Sequence, residues 1–511
     1  MSLNGTVPPP ATYPLAAGRL GASALVFFAL AAAAPFTVVT AVVPAAYAYA
    51  KTDAIVVPAA FLLLGVILLL FSVGYSAMAR RAPNAGALYS FIARGLSRPA
   101  GVGAAWLALL SYNTIQIGLY GAAGAAAAPL LDLWFGVSAD WWMVAAGCWA
   151  VVALCGLLRV DIAGGLLAVV VLAEAAVITG FAAANLLEPG AGAITWRTVV
   201  PTGWAGIDRP ALGLLLVAVA FAFVGFETTA AYGEEARRPR RSITRATFLA
   251  VGLLSLLYAA SAWAMSIGAG PGRISALSAG RGSELVFDLA GERLAPWAVT
   301  LGRALVLTGL VIAMISLHST VARYFFALGR ERLLPAWLGR TTLRGVPVAG
   351  SLTQSLIAAA ALGGVYAAGW DPLTQTFRLL TTAGALGVLL LLLATSLAAL
   401  LFLNRAPNDE TAWQRFVAPG LATVLLGALC YLAFVNLGEL LGVPSGDPLL
   451  VFVPSAFVAA ILFGVSYGSV LRAAGPIVYA GIGLGGTAVV VAPAIPKPRE
   501  PGAHRPERID R

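Results

Sequence analysis

The stretch Leu214–Ser242, LLLVAVAFAFVGFETTAAYGEEARRPRRS, joins an apolar run to a glycine, a carboxylate and an arginine-rich end. An ionisable side chain at membrane depth costs about 2.5 to 3.5 kcal/mol on insertion scales, so it is expected to line a protein-walled or water-filled cavity. Glu227 is such a side chain. The stretch therefore predicts a membrane helix that borders a pathway.

The composition of the whole chain agrees with a membrane protein. Of its 511 residues, 60% are hydrophobic and 11% are charged, with a mean hydropathy of +0.89. Because about 20 apolar residues cross a bilayer, we predict an all-α integral membrane protein with about 12 transmembrane helices. Apolar runs between polar or Gly/Pro breaks place the spans near 20–49, 54–79, 100–130, 140–158, 161–187, 211–233, 243–268, 295–326, 347–369, 374–403, 415–440 and 447–471.

The net charge of +10 lies mainly in loops on one side of these spans, as in the cluster 237–241. The positive-inside rule then places both termini in the cytoplasm of a multi-pass cell-membrane protein, and the loop location argues against a nucleic-acid partner. An alternative, a thirteenth span at 476–493, would put the basic tail outside. The predicted segments are an N-terminal tail (1–19), a first repeat (20–187), a second repeat (188–403), two additional helices (404–472) and a C-terminal tail (473–511).

Two spans look interrupted at corresponding positions. The first is Phe27–Pro44, FFALAAAAPFTVVTAVVP, and the second surrounds Gly225. Paired interrupted spans in two halves of a chain indicate a binding site, because half-helix ends aim backbone groups at a polar ligand. We therefore expect spans 1 to 5 and 6 to 10 to form a 5+5 inverted repeat.

Each interruption has a local cause. Pro35 removes a backbone donor and should free carbonyls near Ala31 and Ala32, while the following amides face an anion. Gly225 weakens its helix by about 1 kcal/mol relative to alanine, and carbonyls freed there would accept hydrogen bonds from an ammonium. Alternatively, Pro35 only kinks an ordinary helix. The substrate-contacting residues expected from the two breaks are Ala34, Phe36, Thr37, Val38, Ala222, Val224 and Gly225.

Three segments resemble the amino acid–polyamine–organocation permeases. They are FVGFETTAAYGEEARRPRRSITRA (Phe223–Ala246), PNAGALYSFIARGLSRPAG (Pro83–Gly101) and HSTVARYFFALGRERLLP (His318–Pro335). The resemblance, which covers roughly residues 20 to 472, implies the 5+5 fold, a substrate between helices 1, 3, 6, 8 and 10, and alternating access. It also implies that Phe221 packs over the substrate. AAAAPFT in span 1 departs from the family's glycine-rich break.

Glu174 lies deep in span 5 without a neighbouring charge in sequence. Burial favours a neutral carboxyl that takes up and releases a proton. The resemblance places a titratable lysine of proton-coupled relatives at this position, beside a site that binds sodium in other relatives. Glu174 is therefore the first candidate for the coupling residue, with a structural hydrogen-bonding role as the alternative. Glu227 is its rival, and could instead bind an ammonium, sense pH or bond to the backbone of span 1.

Polar residues elsewhere in the spans receive similar interpretations. Tyr112 and Gln116 share a helix face at i, i+4, which we expect to look into the pathway; the alternative is interhelical hydrogen bonding, worth about 0.6 kcal/mol per contact. His318 is expected to make a helix-end contact. The pair Glu234 and Glu235 before the arginine cluster is expected to anchor the loop at the membrane surface and lock it, not to act as a catalytic carboxylate pair.

These patterns predict a proton-driven importer of an amino acid or another small amine. A sodium gradient, an exchanger or a polyamine importer of the same fold are alternatives. With two histidines and no nucleophile motif or phosphate loop, an integral-membrane enzyme is disfavoured, and a channel would need rings of like side chains. Cys148, Cys155 and Cys430 lack metal-ligand spacing, so no metal or cofactor is expected. The sequence does not indicate the oligomeric state.

Overall fold

The computed structural model describes residues 14–50, 56–81, 84–190, 194 and 208–485. Among these residues, eleven helices are long and apolar enough to cross a membrane, and a further apolar helix has 15 residues. In chain order they are α1 Ala22–Ala50, α2 Val56–Arg81, α3 Arg98–Phe135, α4 Trp141–Cys155, α5 Val160–Leu187, α6 Arg209–Tyr232, α7 Pro239–Ala269, α8 Pro296–Arg330, α9 Val348–Ala367, α10 Pro372–Arg405, α11 Trp413–Val435 and α12 Leu449–Ala474.

The all-α membrane architecture is confirmed, and each predicted span corresponds to one of these helices. The largest differences are at helix ends. Helix α3 runs through Pro129 to Phe135 and ends at Gly136, whose φ of 65° is the left-handed conformation that commonly terminates helices. The apolar run read from the sequence ends this span at residue 130, before the last turn of the helix.

Helices α1 and α6 are both interrupted, as predicted. Helix α1 consists of Ala22–Ala32 and a second half that starts at Pro35 and contains a π-helical turn, Val38–Val42. Helix α6 consists of Arg209–Phe221 and the 3-10 segment Phe226–Tyr232. The interruptions leave irregular backbone inside the helix bundle, where protein groups surround it, as a membrane requires.

The outer surface of the bundle is apolar. Large side chains such as Leu154, Leu356 and Phe452 are 69%, 70% and 65% exposed. In water such a surface would aggregate, whereas lipid covers it at no cost. The interrupted segments are instead buried at the centre, where both pack against α7 and α8.

Short helices cover the two ends of the bundle. We call the end that carries the Glu234–Arg330 ion pair the inner end; it includes the helix Ala87–Gly95. Helices Ile274–Arg281 and Leu285–Gly291 lie at the opposite, outer end. At the C-terminus, Pro476–Gly481 is a helix of 6 residues, too short to cross a membrane, so the alternative of a thirteenth span at 476–493 is wrong for its described part. Residues 486–493 lie outside the described residues.

Candidate functional site

The interruption in α1 is built around Ala34 and Pro35. Ala34 has φ 47° and ψ 64°, a left-handed conformation that is strained for a residue with a side chain. Pro35 starts the second half-helix, where its missing N–H costs nothing. The Ala34 amide donates to the Ala31 carbonyl at 3.0 Å. The expectation that the Ala31 carbonyl is free is therefore wrong: the chain closes one tight turn before it breaks.

The N-terminal turn of the second half of α1 is only partly open. The Val38 amide donates to the Ala34 carbonyl at 3.0 Å. The expected anion-facing role of Val38 is therefore not what the structure shows, because Val38 is the fourth residue of the half-helix and its amide makes the first intrahelical bond to the N-cap carbonyl. Thr37 is half-buried, and Phe36 is fully buried. The Phe36 amide faces the carboxyl of Glu174.

The interruption in α6 is a turn at Gly225, whose φ is 118°. Just before this turn, the amides of Phe223 and Val224 donate i→i−3 hydrogen bonds to the carbonyls of Ala220 and Phe221, both at 3.2 Å. A Cβ atom on Gly225 would lie 2.6 Å from the backbone carbonyl carbon of Ala32. The two interruptions thus touch backbone to backbone, and only glycine allows this approach.

The Glu227 carboxylate caps the interruption in its own helix. Its Oε2 accepts a hydrogen bond from the Gly225 amide at 2.8 Å, and its Oε1 accepts one from the Tyr112 hydroxyl at 2.9 Å. Glu227 is fully buried. One role considered from sequence is a hydrogen bond between Glu227 and the backbone of α1. The carboxylate bonds to the backbone of α6 instead, so the predicted partner is wrong.

Tyr75 on α2 supports the same segment, and sequence reasoning missed it. Its hydroxyl donates to the Glu227 carbonyl and accepts a hydrogen bond from the Ala230 amide at 3.1 Å. The available signal was a tyrosine in an apolar helix, since a buried tyrosine hydroxyl usually finds a partner. Its partner is set by how α2 packs against α6.

Glu174 on α5 is fully buried. No hydrogen-bond partner of good geometry reaches either of its carboxyl oxygens among the described residues. A Cβ atom on Gly309 of α8 would lie only 1.7 Å from Oε1, so this glycine makes room for the carboxyl. The carboxyl therefore occupies the junction of α1, α5 and α8 without the satisfied hydrogen bonds that a structural role would provide.

The remaining predicted contacts divide between the break and other sites. Ala222 is buried, whereas Phe221 and Val224 are half-buried beside the turn. Gln116 donates to the Tyr120 hydroxyl at 3.2 Å and accepts from Gln354 of α9 at 3.0 Å. For Gln116, the alternative interpretation of hydrogen bonding between helices describes the structure. Tyr112, on the same face of α3, bonds to a different partner, Glu227.

Ion pairs close the inner end beneath α6. Glu235 pairs with Arg323 at 2.6 and 3.0 Å, and Glu234 pairs with Arg330 at 2.6 and 2.7 Å. Glu234 also accepts the Ala85 amide at 3.0 Å. Both arginines belong to α8, so the two carboxylates lock the segment that follows α6 to α8.

Two further observations complete the description of titratable groups. His318 on α8 contacts Ser351 on α9 at 2.8 Å, which is a contact between helices near the inner end. Among the described residues, no group of three or more His, Cys, Asp or Glu side chains is arranged to hold a metal ion.

The fold and the paired interruptions define a class: a multi-pass membrane protein in which two broken helices meet at the centre of the bundle. The profile of one family, described as amino acid permease, matches residues 20–457. The chain belongs to this family, which is part of the amino acid–polyamine–organocation superfamily, so the resemblance noted from sequence is confirmed.

Curated relatives match over shorter stretches. A protein named an uncharacterized transporter, from Mycobacterium tuberculosis (strain ATCC 25618 / H37Rv), is 32% identical over 167 residues, which are 31% of this chain and 37% of the relative. A branched-chain amino acid permease of Lactococcus lactis subsp. cremoris (strain MG1363) is 27% identical over 159 residues, which are 31% of this chain and 32% of the relative. The chain thus spans about a third of the length of each of these relatives.

Proposed function

We propose that this protein is a secondary active transporter that imports an amino acid across the cell membrane, with both termini in the cytoplasm. The observation that carries the proposal is the backbone contact between the two interrupted helices at Ala32 and Gly225. Two broken helices that meet in the centre of a membrane bundle form a typical substrate site of transporters. Family membership and the permease name of one relative support an amino acid as the substrate class.

The hydrogen bonds of Glu227 favour a zwitterion over a polyamine. Glu227 is fully buried and its oxygens accept hydrogen bonds from Gly225 and Tyr112, so a second ammonium group would have to displace these contacts to reach the carboxylate. The ammonium group of an amino acid substrate would instead bind carbonyls of the α6 turn. The carboxylate group of the substrate would bind near the Thr37 amide. Phe221 and Val224 would contact the side chain of the substrate.

The transport cycle is proposed to alternate access between the two ends. The proposal is supported by the ion pairs Glu234–Arg330 and Glu235–Arg323, which join the segment after α6 to α8 at the inner end. Separating the partners of a buried ion pair is costly, because each charge is left buried without its counter-charge. Release to the inside would therefore separate α6 from α8 in one concerted step.

We propose a proton as the coupling ion and Glu174 as the residue that carries it. Its carboxyl is buried and unpartnered at the junction of α1, α5 and α8, where a change of charge alters how the α1 half-helix packs at Phe36. Protonation would thereby bias the equilibrium between the two access states. A sodium ion at the same junction is the competing proposal.

The substrate and the coupling ion are tested together in proteoliposomes. Purified protein is offered labelled apolar amino acids, cationic amino acids and a diamine under an imposed proton or sodium gradient. We expect concentrative uptake of an apolar amino acid with the proton gradient alone. Uptake that occurs only when substrate is preloaded inside the proteoliposomes would establish an exchanger. Preferred uptake of the diamine would establish a polyamine importer. Single-channel conductance would contradict a transporter.

The role of Glu174 is tested with Glu174→Gln, which keeps the shape of the side chain but cannot release a proton. We expect substrate exchange to survive while concentrative uptake and its dependence on pH are lost. The matched control is Glu188→Gln, at the exposed end of the same helix. Unchanged accumulation and pH dependence in Glu174→Gln would rule out the coupling role.

A further inference from the structure

The described end of the chain, 476–485, folds back against the inner end of the bundle. After the helix Pro476–Gly481, Gly483 and Gly485 adopt left-handed backbone conformations with φ of 77° and 61°. A Cβ atom on Gly483 would lie 2.9 Å from the Ala93 Cβ, and one on Gly485 would lie 2.7 Å from the Asn84 Cγ. We call residues 476–485 the C-terminal strap.

The strap binds Glu331, the residue that follows α8. The Glu331 carboxylate is 3% exposed and accepts hydrogen bonds from the amides of Gly483 at 2.9 Å and Gly485 at 2.8 Å. Hydrogen bonds from amides to a buried carboxylate are stronger than those between neutral groups. The left-handed glycines are what turn both amides toward the same carboxylate.

The other edge of the strap binds two arginines. Arg94, in the helix Ala87–Gly95, donates from Nε to the Gly483 carbonyl at 2.9 Å. Arg98, at the start of α3, donates to the Ala480 carbonyl at 3.3 Å and lies 5.2 Å from the Tyr479 ring centroid. The strap therefore joins the end of α8 to the segment that connects α2 and α3.

A column of tyrosines leads from the α6 interruption to the strap. Tyr112 donates a hydrogen bond to Glu227. The ring centroid of Tyr324 lies 5.9 Å from that of Tyr112 and 5.9 Å from that of Tyr89. Burial, and then the neighbouring Glu331 carboxylate, raise the pKa of Tyr89 well above its usual value. The column thus ends at the carboxylate that holds the strap.

We propose that the C-terminal strap is an internal lock, which holds the inner end closed while Gly483 and Gly485 bind Glu331 and detaches when the inner end opens. The expected effect on transport rests on the proposed function, but the effect on closure does not. The strap lies against Ser90 and Ala93, in the same short helix as Tyr89 of the tyrosine column. Its detachment would couple opening of the pathway to the state of the chain's own C-terminal segment.

Closure is measured by thiol reactivity in detergent. The native cysteines Cys148, Cys155 and Cys430 are replaced, and Ser316→Cys is introduced as the reporter, because Ser316 is fully buried in α8, where its hydroxyl donates to the Phe28 carbonyl of α1. We expect Gly483→Ala/Gly485→Ala, and a chain ending at Gly475, to raise the rate of maleimide labelling at this position about tenfold or more, since two hydrogen bonds to a charged group are lost.

Two matched controls isolate the strap. A chain ending at Gly485 keeps the strap and should label as slowly as the full chain, and Gly363→Ala adds a methyl group where nothing lies within 4 Å. Glu331→Ala in the full chain tests the same lock without truncation and is expected to label quickly. Equal labelling in all variants that elute as intact protein would overturn the proposal.

Transport measured on the same variants separates the two proposals. We expect faster initial uptake when the strap is released, because the inward-open state becomes easier to reach. If labelling rises as expected but no substrate is transported by any variant, the lock stands and the proposed function fails. If transport is normal and labelling never changes, the lock fails and the function stands.

Discussion

The interruptions in α1 and α6 touch each other, yet they are stabilised differently. In α1 the chain relies on Pro35, which has no amide to satisfy, and on Ala34 in a left-handed conformation. In α6 the left-handed residue is Gly225, and the Glu227 carboxylate satisfies its amide. One interruption omits a backbone donor, whereas the other supplies an acceptor for the donor it exposes.

This difference explains why the two segments look unlike each other in sequence. An exposed backbone donor inside a membrane costs several kcal/mol, so each break needs a solution. The α1 break relies on Ala34 and Pro35, with the Glu174 carboxyl of α5 facing the Phe36 amide. The α6 break recruits Tyr112 from α3 and Tyr75 from α2, and is consequently more sensitive to changes elsewhere in the bundle.

The largest effect is expected where the interruptions meet. Gly225→Ala places a methyl group 2.6 Å from the Ala32 carbonyl carbon at a φ of 118°, and we expect it to cost about 3 to 6 kcal/mol from overpacking and backbone strain. Loss of thermal stability in detergent is the measurement. Gly252→Ala in α7, with nothing within 4 Å, is the matched control and should be tolerated; equal stability of the two variants would contradict the contact.

Removal of the acceptor in α6 comes next. Glu227→Ala leaves the buried Gly225 amide and the Tyr112 hydroxyl without partners, and we expect a loss of about 2 to 4 kcal/mol. Glu227→Gln retains one acceptor and should lose less. Denaturant titration in mixed micelles gives the unfolding free energies. A reversed order of the two variants would show that Glu227 does not cap the break.

A smaller effect is expected when only the tyrosine is altered. Tyr112→Phe removes one hydrogen bond to Glu227, so we expect a loss of about 1 kcal/mol in the same titration. Tyr431→Phe serves as the control, since Tyr431 is 69% exposed. A double-mutant cycle with Glu227→Gln should show coupling between the two positions; strict additivity would mean that the hydrogen bond contributes nothing.

The smallest effect is expected in α1 and has the opposite sign. Ala34→Gly relieves a left-handed alanine, and after the entropy of the added glycine is deducted we expect stabilisation by about 0.5 kcal/mol. The same change within the helix, Ala24→Gly, should destabilise by about 1 kcal/mol. If Ala34→Gly destabilises as much as Ala24→Gly, strain at Ala34 has no part in the break.

Residues with a local physical cause were the ones that sequence could identify. Pro35 and Gly225 mark both interruptions because each residue alters its own backbone. The membrane helices followed from apolar length. By contrast, the assignment of Val38 to an open half-helix end was wrong, because the amide of the fourth residue in a half-helix that starts at Pro35 already bonds to the Ala34 carbonyl.

Long-range pairing lay beyond the sequence for a physical reason. The hydrogen bond from Tyr112 to Glu227, the pairing of Glu234 and Glu235 with arginines of α8, and the hydrogen bonds from the strap to Glu331 join residues far apart in the chain. Composition and periodicity report what a residue does to its own helix, whereas a buried carboxylate takes whichever donor the packing brings within about 3 Å. The chain itself specifies a bundle of apolar helices with two breaks; the packing of those helices decides which groups meet there.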